Sequence, residues 1–236
     1  MNQYVRLIVS LAVTAGIAAG LLAVTYETTK PEIAKREIED KAKALENVFF
    51  LQKDAGSGAF TLIPKPLNDN VTALYTADNP DSPVYYAVSG AATGYNSGVP
   101  VSLMVGFTGP AAEPATLLKG YVPEDKLPAP GQKGQYIVGF SVVNSEETPG
   151  LGEKIKDSRP PYTWVQALTG TKPAPDPDKA TPFQSQFRGR LADSLLLKKN
   201  GGDLDAITAS TITSNGVVSA LRDASGKLED ALASGR

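Results

Sequence analysis

Five of the seven residues from Thr208 to Ser214 carry a hydroxyl: Thr208, Ser210, Thr211, Thr213 and Ser214. They stand just before a periodic segment in which Val217, Val218 and Leu221 share one side of a helix. A helix start leaves backbone N–H groups without intrahelical acceptors and presents the positive end of the dipole, so it favours an anion. With Thr211 before or in the first turn, a phosphate there would lie against N–H groups such as those of Thr213 and Ser214. The neighbouring hydroxyls would add donors. The same residues also make an ordinary N-cap, so hydroxyls alone leave anchoring and capping both open. A second stretch, Glu147-Thr148-Pro149-Gly150-Leu151-Gly152, follows a β-rich run ending at Val143. Pro149-Gly150 forces a turn, and Gly150 and Gly152 let backbone approach a planar ligand closely.

Composition narrows the chemistry available to these residues. The 236-residue chain has no cysteine and no histidine. Disulfides, thiolate nucleophiles, iron–sulfur ligation, histidine general bases and the usual zinc sites are therefore excluded. No loop has EF-hand spacing. A net charge of -2 gives no basic face for nucleic acid. Hydrophobic content of 42% with 20% charged residues is globular composition.

The elements that must carry the two motifs can be read along the chain. Leu7–Tyr26 has no charged residue and, as a helix, spans roughly 30 Å, enough to cross a bilayer. It exceeds a signal-peptide core and lacks a small-x-small site before Tyr26, so it is read as an uncleaved anchor. Ala12, Gly16 and Gly20 line one face of it. A charged amphipathic helix continuing from the membrane segment, with Pro31 near its start, is expected over 29–48 and packed on the domain. Residues 50–80 are expected to be loops with one or two short strands. Strands are expected at 84–88, 101–107 and 136–143, with a further one over 117–122. Lys172–Lys179 reads as a surface loop and Trp164 as core. The fold class is α+β: residues 1–28 as tail and transmembrane helix, then a domain over 29–236 with an antiparallel sheet flanked by helices.

Asp205-Ala206-Ile207-Thr208-Ala209-Ser210-Thr211 resembles the flavinylation motif Asp-x-x-(Ser/Thr)-(Gly/Ala)-(Ala/Ser)-Thr of the FMN-binding domain family. Glu147–Gly152 is similar to a second signature of that family, one that helps form the flavin pocket. Gly94-Tyr95-Asn96-Ser97-Gly98 resembles a Gly-Tyr loop preceding a strand, and Phe183–Phe187 resembles a Phe-x-x-Gln-Phe segment. For the first a plain surface turn, and for the second a pair of core aromatics, is an equally good reading. The family includes the G subunit of the Rnf electron-transport complex and the C subunit of the sodium-pumping NADH:quinone reductase. Compact length and a short link from anchor to domain favour the Rnf-type subunit over its relative.

The resemblance implies FMN esterified to Thr211 by a separate flavin transferase. It also implies a flavin site drawing on Asp205, Thr208, Ser210, Thr213, Ser214, Glu147, Thr148, Gly150, Leu151 and Gly152. Partners would be the other membrane subunits of an Rnf-type complex that couples ferredoxin and NAD to ion translocation. The chain itself would be an electron carrier, not a catalyst on its own. Counted literally, the positive-inside rule puts the domain in the cytoplasm, because Lys30, Lys35, Arg36 and Lys41 outnumber Arg6. The resemblance implies the opposite, a single-pass inner-membrane protein with its domain on the periplasmic side, and that orientation is the expectation here. The rival from another class is a membrane-anchored scaffold without a cofactor.

Overall fold

The computed structural model describes residues 3–49, 62–156 and 181–234. The expected loop at 172–179 and Trp164 lie outside them. The chain divides into two compact units, Met1–Ala42 and Lys43–Arg236.

Helix α1 (Gln3–Val48) runs through the first unit and ends in the second. Pro31 lies inside it, and the amphipathic stretch continues the membrane helix as expected from the sequence. Proline there removes the N–H that the Glu27 carbonyl would accept. The turns before it also carry side-chain bonds. The hydroxyls of Thr25, Thr28 and Thr29 donate to the carbonyls of Leu21, Val24 and Thr25 at 2.8, 3.0 and 2.8 Å. The stretch Gln3–Ile33 is long and apolar enough to cross a membrane, and none of its most apolar window is buried. Leu7, Ile8, Leu11, Ile17, Leu21 and Leu22 are all exposed. A helix so apolar and so uncovered needs a nonaqueous surrounding, which a bilayer supplies.

In the second unit a five-stranded antiparallel meander follows sequence order: β1 (Ile63–Pro66), β2 (Val71–Tyr75), β3 (Tyr85–Ala92), β4 (Val101–Thr108) and β5 (Ile137–Asn144). Both faces are covered, which is why the strands read as near-continuous apolar runs. Tyr86, Val88, Leu103, Val105, Phe107 and Phe140 face one core with α4 (Thr211–Ser234), which buries Val217, Ala220, Leu221, Ala224 and Leu228. Tyr85, Ala87, Met104 and Val138 face a second core with Ala44, Val48 and Phe49 from the end of α1. The expected strand at 117–122 is instead the end of a helical turn, α2 (Pro114–Leu117), and the turn after it. Pro114 starts that turn, and Leu117, Leu118, Tyr121 and Val122 are buried at helical spacing.

Two features place the functional end of the domain. Strands β3 and β5 both run antiparallel to β4, so their C-terminal ends leave the sheet at the same edge. Helix α4 starts at that edge and runs back along β3. It comes close because Gly90 has no side chain to meet the Ala220 carbonyl and the Ala224 methyl.

Candidate functional site

Three segments converge where α4 begins: the loop 94–98 after β3, the turn 147–155 after β5, and the residues from Ile207 to Gly216. Their junction is a buried carboxylate, Glu147. Its Oε2 accepts from the Thr213 hydroxyl at 2.6 Å, and its Oε1 accepts from the Tyr95 N–H at 3.1 Å. Asn96 Nδ2 adds a bond to the Glu146 carbonyl at 3.2 Å. Gly152 sits in the crook of this junction: a Cβ there would come within 2.8 Å of Glu147 Oε2 and Thr213 Oγ1. The close approach at Gly152 is thus between motif and helix. Gly150, with φ +74°, makes the turn itself. The Leu151 and Glu153 N–H groups donate to the Thr148 carbonyl at 3.1 and 3.3 Å and close it. The loop at 94–98 is therefore a docked part of the site and more than a surface turn.

The hydroxyls at the start of α4 divide sharply. Ser214 is buried; its hydroxyl donates to the Ser210 carbonyl at 2.9 Å and accepts from the Ile207 N–H at 3.0 Å. Thr213 is buried and engaged by Glu147. Ser210 is buried, and its carbonyl also accepts from the Ser214 N–H at 2.9 Å, the first bond of the helix. That N–H is therefore not open to an anion, contrary to expectation; by helix geometry the open ones belong to Thr211, Ile212 and Thr213. Thr208 is exposed and precedes Ala209, whose φ of 62° turns the chain into the helix. Thr211 is the first residue of α4, half-buried, and its hydroxyl has no hydrogen-bond partner among the described residues.

Asp205 makes its contacts with the chain that precedes α4. Its carboxylate is exposed and pairs with Lys198 Nζ at 2.7 Å. Its backbone is held on both sides by Gln186, which donates to the Asp205 carbonyl and accepts the Asp205 N–H, each at 2.8 Å. Gln184 caps its own short helix, α3 (Pro182–Ser185), through Thr181 and donates to the Ile155 carbonyl at 3.0 Å. The two glutamines thus tie the turn 147–155 and the hydroxyl segment to one short piece of chain. Their role escaped the sequence reading, which weighed only the aromatics. Those are core: Phe187 is buried and meets Phe140 and Phe183 edge-on at 5.6 and 5.1 Å. Arg190 extends the clip, with a bidentate pair to Asp203 at 2.9 and 2.6 Å. The Arg190 hydrogen bond holds the Asp203 carboxyl below its ordinary range.

The three segments also carry exposed apolar side chains: Tyr95, whose N–H donates to Glu147, Leu151, which precedes Gly152, and Ile212, which precedes Thr213. A cleft of about 940 Å³ elsewhere in the domain, lined by Tyr75, Tyr86, Lys133, Ala231 and Leu232 among others, is at the far end of α4. Twenty helical residues separate Ala231 from Thr211, roughly 30 Å, so a group on Thr211 does not reach it.

The family model described as the FMN-binding domain matches residues 131–226, and that described as the RnfG N-terminal region matches residues 9–48. Three relatives are named as the G subunit of an ion-translocating oxidoreductase complex. The protein from Erwinia tasmaniensis is 28% identical over 91% of this chain and 84% of its own. The one from Methanosarcina acetivorans is 26% identical over 94% and 93%. The one from Aliivibrio fischeri is 29% identical over 91% and 85%. No solved structure matches the chain. One family model thus lies on the anchor and another on the domain that holds both motifs: the chain carries an FMN-binding domain behind an RnfG-type N-terminal region.

Proposed function

We infer that this chain is the flavin-bearing electron-transfer subunit of a membrane ion-translocating oxidoreductase complex of the Rnf type, with FMN esterified to Thr211. The observation that carries the reading is the state of one hydroxyl. Of the hydroxyls at the start of α4, Thr211's is the one that is on the helix, half-exposed and without a hydrogen-bond partner among the described residues. A phosphodiester there meets the open N–H groups of the first turn and the positive helix end, which supports an anion without any basic side chain. The isoalloxazine ring can lie against Tyr95, Leu151 and Ile212, apolar surface that is otherwise left to water.

Attachment needs an activated donor, because a phosphate monoester does not esterify a hydroxyl in water. A flavin dinucleotide is such a donor. Thr211 Oγ1 bonds the FMN phosphorus, the pyrophosphate P–O bond breaks, a nucleoside monophosphate leaves and the hydroxyl proton goes to solvent. Nothing is oxidised or reduced in that step, and a separate flavin transferase carries it out. Bound flavin supplies the redox chemistry; the chain supplies tether, orientation and a partly dry surface. Because the tether is covalent, the flavin stays with the chain on the periplasmic side, where no pool replaces it. The helix 3–33 anchors the domain there beside the other membrane subunits.

The test is a denaturing gel of membranes from cells with and without the transferase. The account expects a fluorescent flavin band at the mass of this chain only with the transferase. It also expects external protease on intact spheroplasts to remove that band. A flavin that leaves the chain on denaturation contradicts the ester, and a protected band contradicts the orientation.

A further inference from the structure

We propose that Glu147 is a positioning and specificity-determining residue for flavin attachment: it withdraws Thr213 and thereby presents Thr211. The inference rests on the reading of Thr211 as the acceptor.

Thr211 and Thr213 are two residues apart in the first turn of α4, and both are threonines on which a transferase could act. What separates them is their surroundings. The Thr213 hydroxyl is buried and donates to Glu147 Oε2 at 2.6 Å, whereas that of Thr211 has no partner among the described residues. Glu147's other oxygen accepts the Tyr95 N–H at 3.1 Å, so both oxygens are engaged in holding the junction. Glu147 lies 66 residues before Thr213 in the chain, and its carboxylate joins all three segments of the site. Gly152 lets this happen, since any side chain there would intrude on both Glu147 and Thr213. The junction does two things at once. It holds the first turn of α4 against the 147–155 turn, so that the open N–H groups face one place. It also removes the competing nucleophile from solvent. The reaction it serves is the one above: an oxygen–phosphorus bond forms at Thr211 from a flavin dinucleotide, with loss of the nucleoside monophosphate.

The experiment compares Glu147→Ala with Glu147→Gln and Thr213→Ala with Thr213→Ser, each full-length and co-expressed with the transferase. Flavin is mapped by mass to Thr211 or Thr213, and amide exchange is measured on the same chains without transferase. Glutamine can accept from the Tyr95 N–H and donate to the Thr213 oxygen, and serine keeps the hydroxyl, so both conservative variants are expected within twofold of the parent. The Glu147→Ala change is expected to cut labelling at Thr211 at least tenfold, with the residual ester shared by Thr213. The Thr213→Ala change should cut it similarly although Thr211 and Glu147 are intact. Exchange at the Tyr95 amide should quicken at least tenfold in Glu147→Ala and stay slow in Glu147→Gln.

Undiminished, Thr211-only labelling in both alanine variants overturns the proposal. So does Glu147→Gln that labels as poorly as Glu147→Ala while its Tyr95 amide stays protected, because charge would then be acting in place of position. If the parent chain itself takes no flavin, the reading of Thr211 has failed instead. The exchange measurement then still decides whether Glu147 holds the turn.

Discussion

At the scale of single residues the site depends on which polar atoms are already spent. Thr211 is half-buried and bonded to nothing described, so Thr211→Ala should remove the flavin and leave folding stability within about 0.5 kcal/mol of the parent. Urea midpoints of the unmodified chains measure the second part. Ala209 carries the opposite kind of information. Its φ of 62° is in the left-handed region, which costs a residue with a Cβ roughly 1 kcal/mol, and it stands where the resembling motif accepts only Gly or Ala. Ala209→Gly should therefore be neutral or stabilising by up to about 1 kcal/mol, and Ala209→Val should cost at least about 1 kcal/mol, read from the same urea curves. The motif's order was legible in the sequence, but the reason for the small residue was not, because φ is a property of the turn that α4 requires. Likewise Glu147 could be picked out as part of a signature, yet its partner Thr213 could not be found from spacing. The contact exists only after β3, β5 and α4 meet at one edge.

Among elements, the piece of chain from Thr181 to Arg190 matters more than its aromatic motif suggested. Gln186 makes two backbone bonds to Asp205, so Gln186→Ala should loosen the strand of residues leading into α4, at a cost of about 1–2 kcal/mol. Hydrogen exchange at the Asp205 amide, with that of the Val217 amide as the internal standard, reads it directly. Arg190 and Asp203 give the same clip a pH dependence. Asp203 has a folded pKa depressed by the Arg190 hydrogen bond, so its contribution is present above the unfolded aspartate value, about 3.9, and is lost as pH falls through the lower folded value. Because the pair is exposed, the amount is small, about 0.5 kcal/mol or less. Asp203→Asn should flatten that acid limb in a stability-versus-pH series and change little else. The strands themselves were legible because Val, Ile, Tyr and Phe runs bounded by Gly and Pro leave few alternatives. The short apolar run 117–122 was not, since strand and helical turn share such a composition and Pro114, three residues before it, decides the matter.

For the molecule as a whole, the two units answer to different solvents. Helix α1 is apolar and uncovered over 3–33, while Ala44, Val48 and Phe49 at its end fill a core against Tyr85, Ala87 and Met104. The boundary of independent folding therefore falls near residue 43, some ten residues beyond where the membrane-spanning stretch ends. A chain starting at Lys43 should be soluble without detergent and unfold cooperatively. One starting at Leu62 should lose at least about 3 kcal/mol, because it leaves that core without Val48 and Phe49. Thermal unfolding followed by circular dichroism distinguishes them. The anchor was visible from composition alone.

The central claim is most directly met by the intact mass of the chain purified after co-expression with a flavin transferase, followed by peptide mapping. The account predicts a gain of one FMN less one water, located on Thr211 and missing from Thr211→Ala. An unchanged mass, or the same gain in the Thr211→Ala chain, would contradict it.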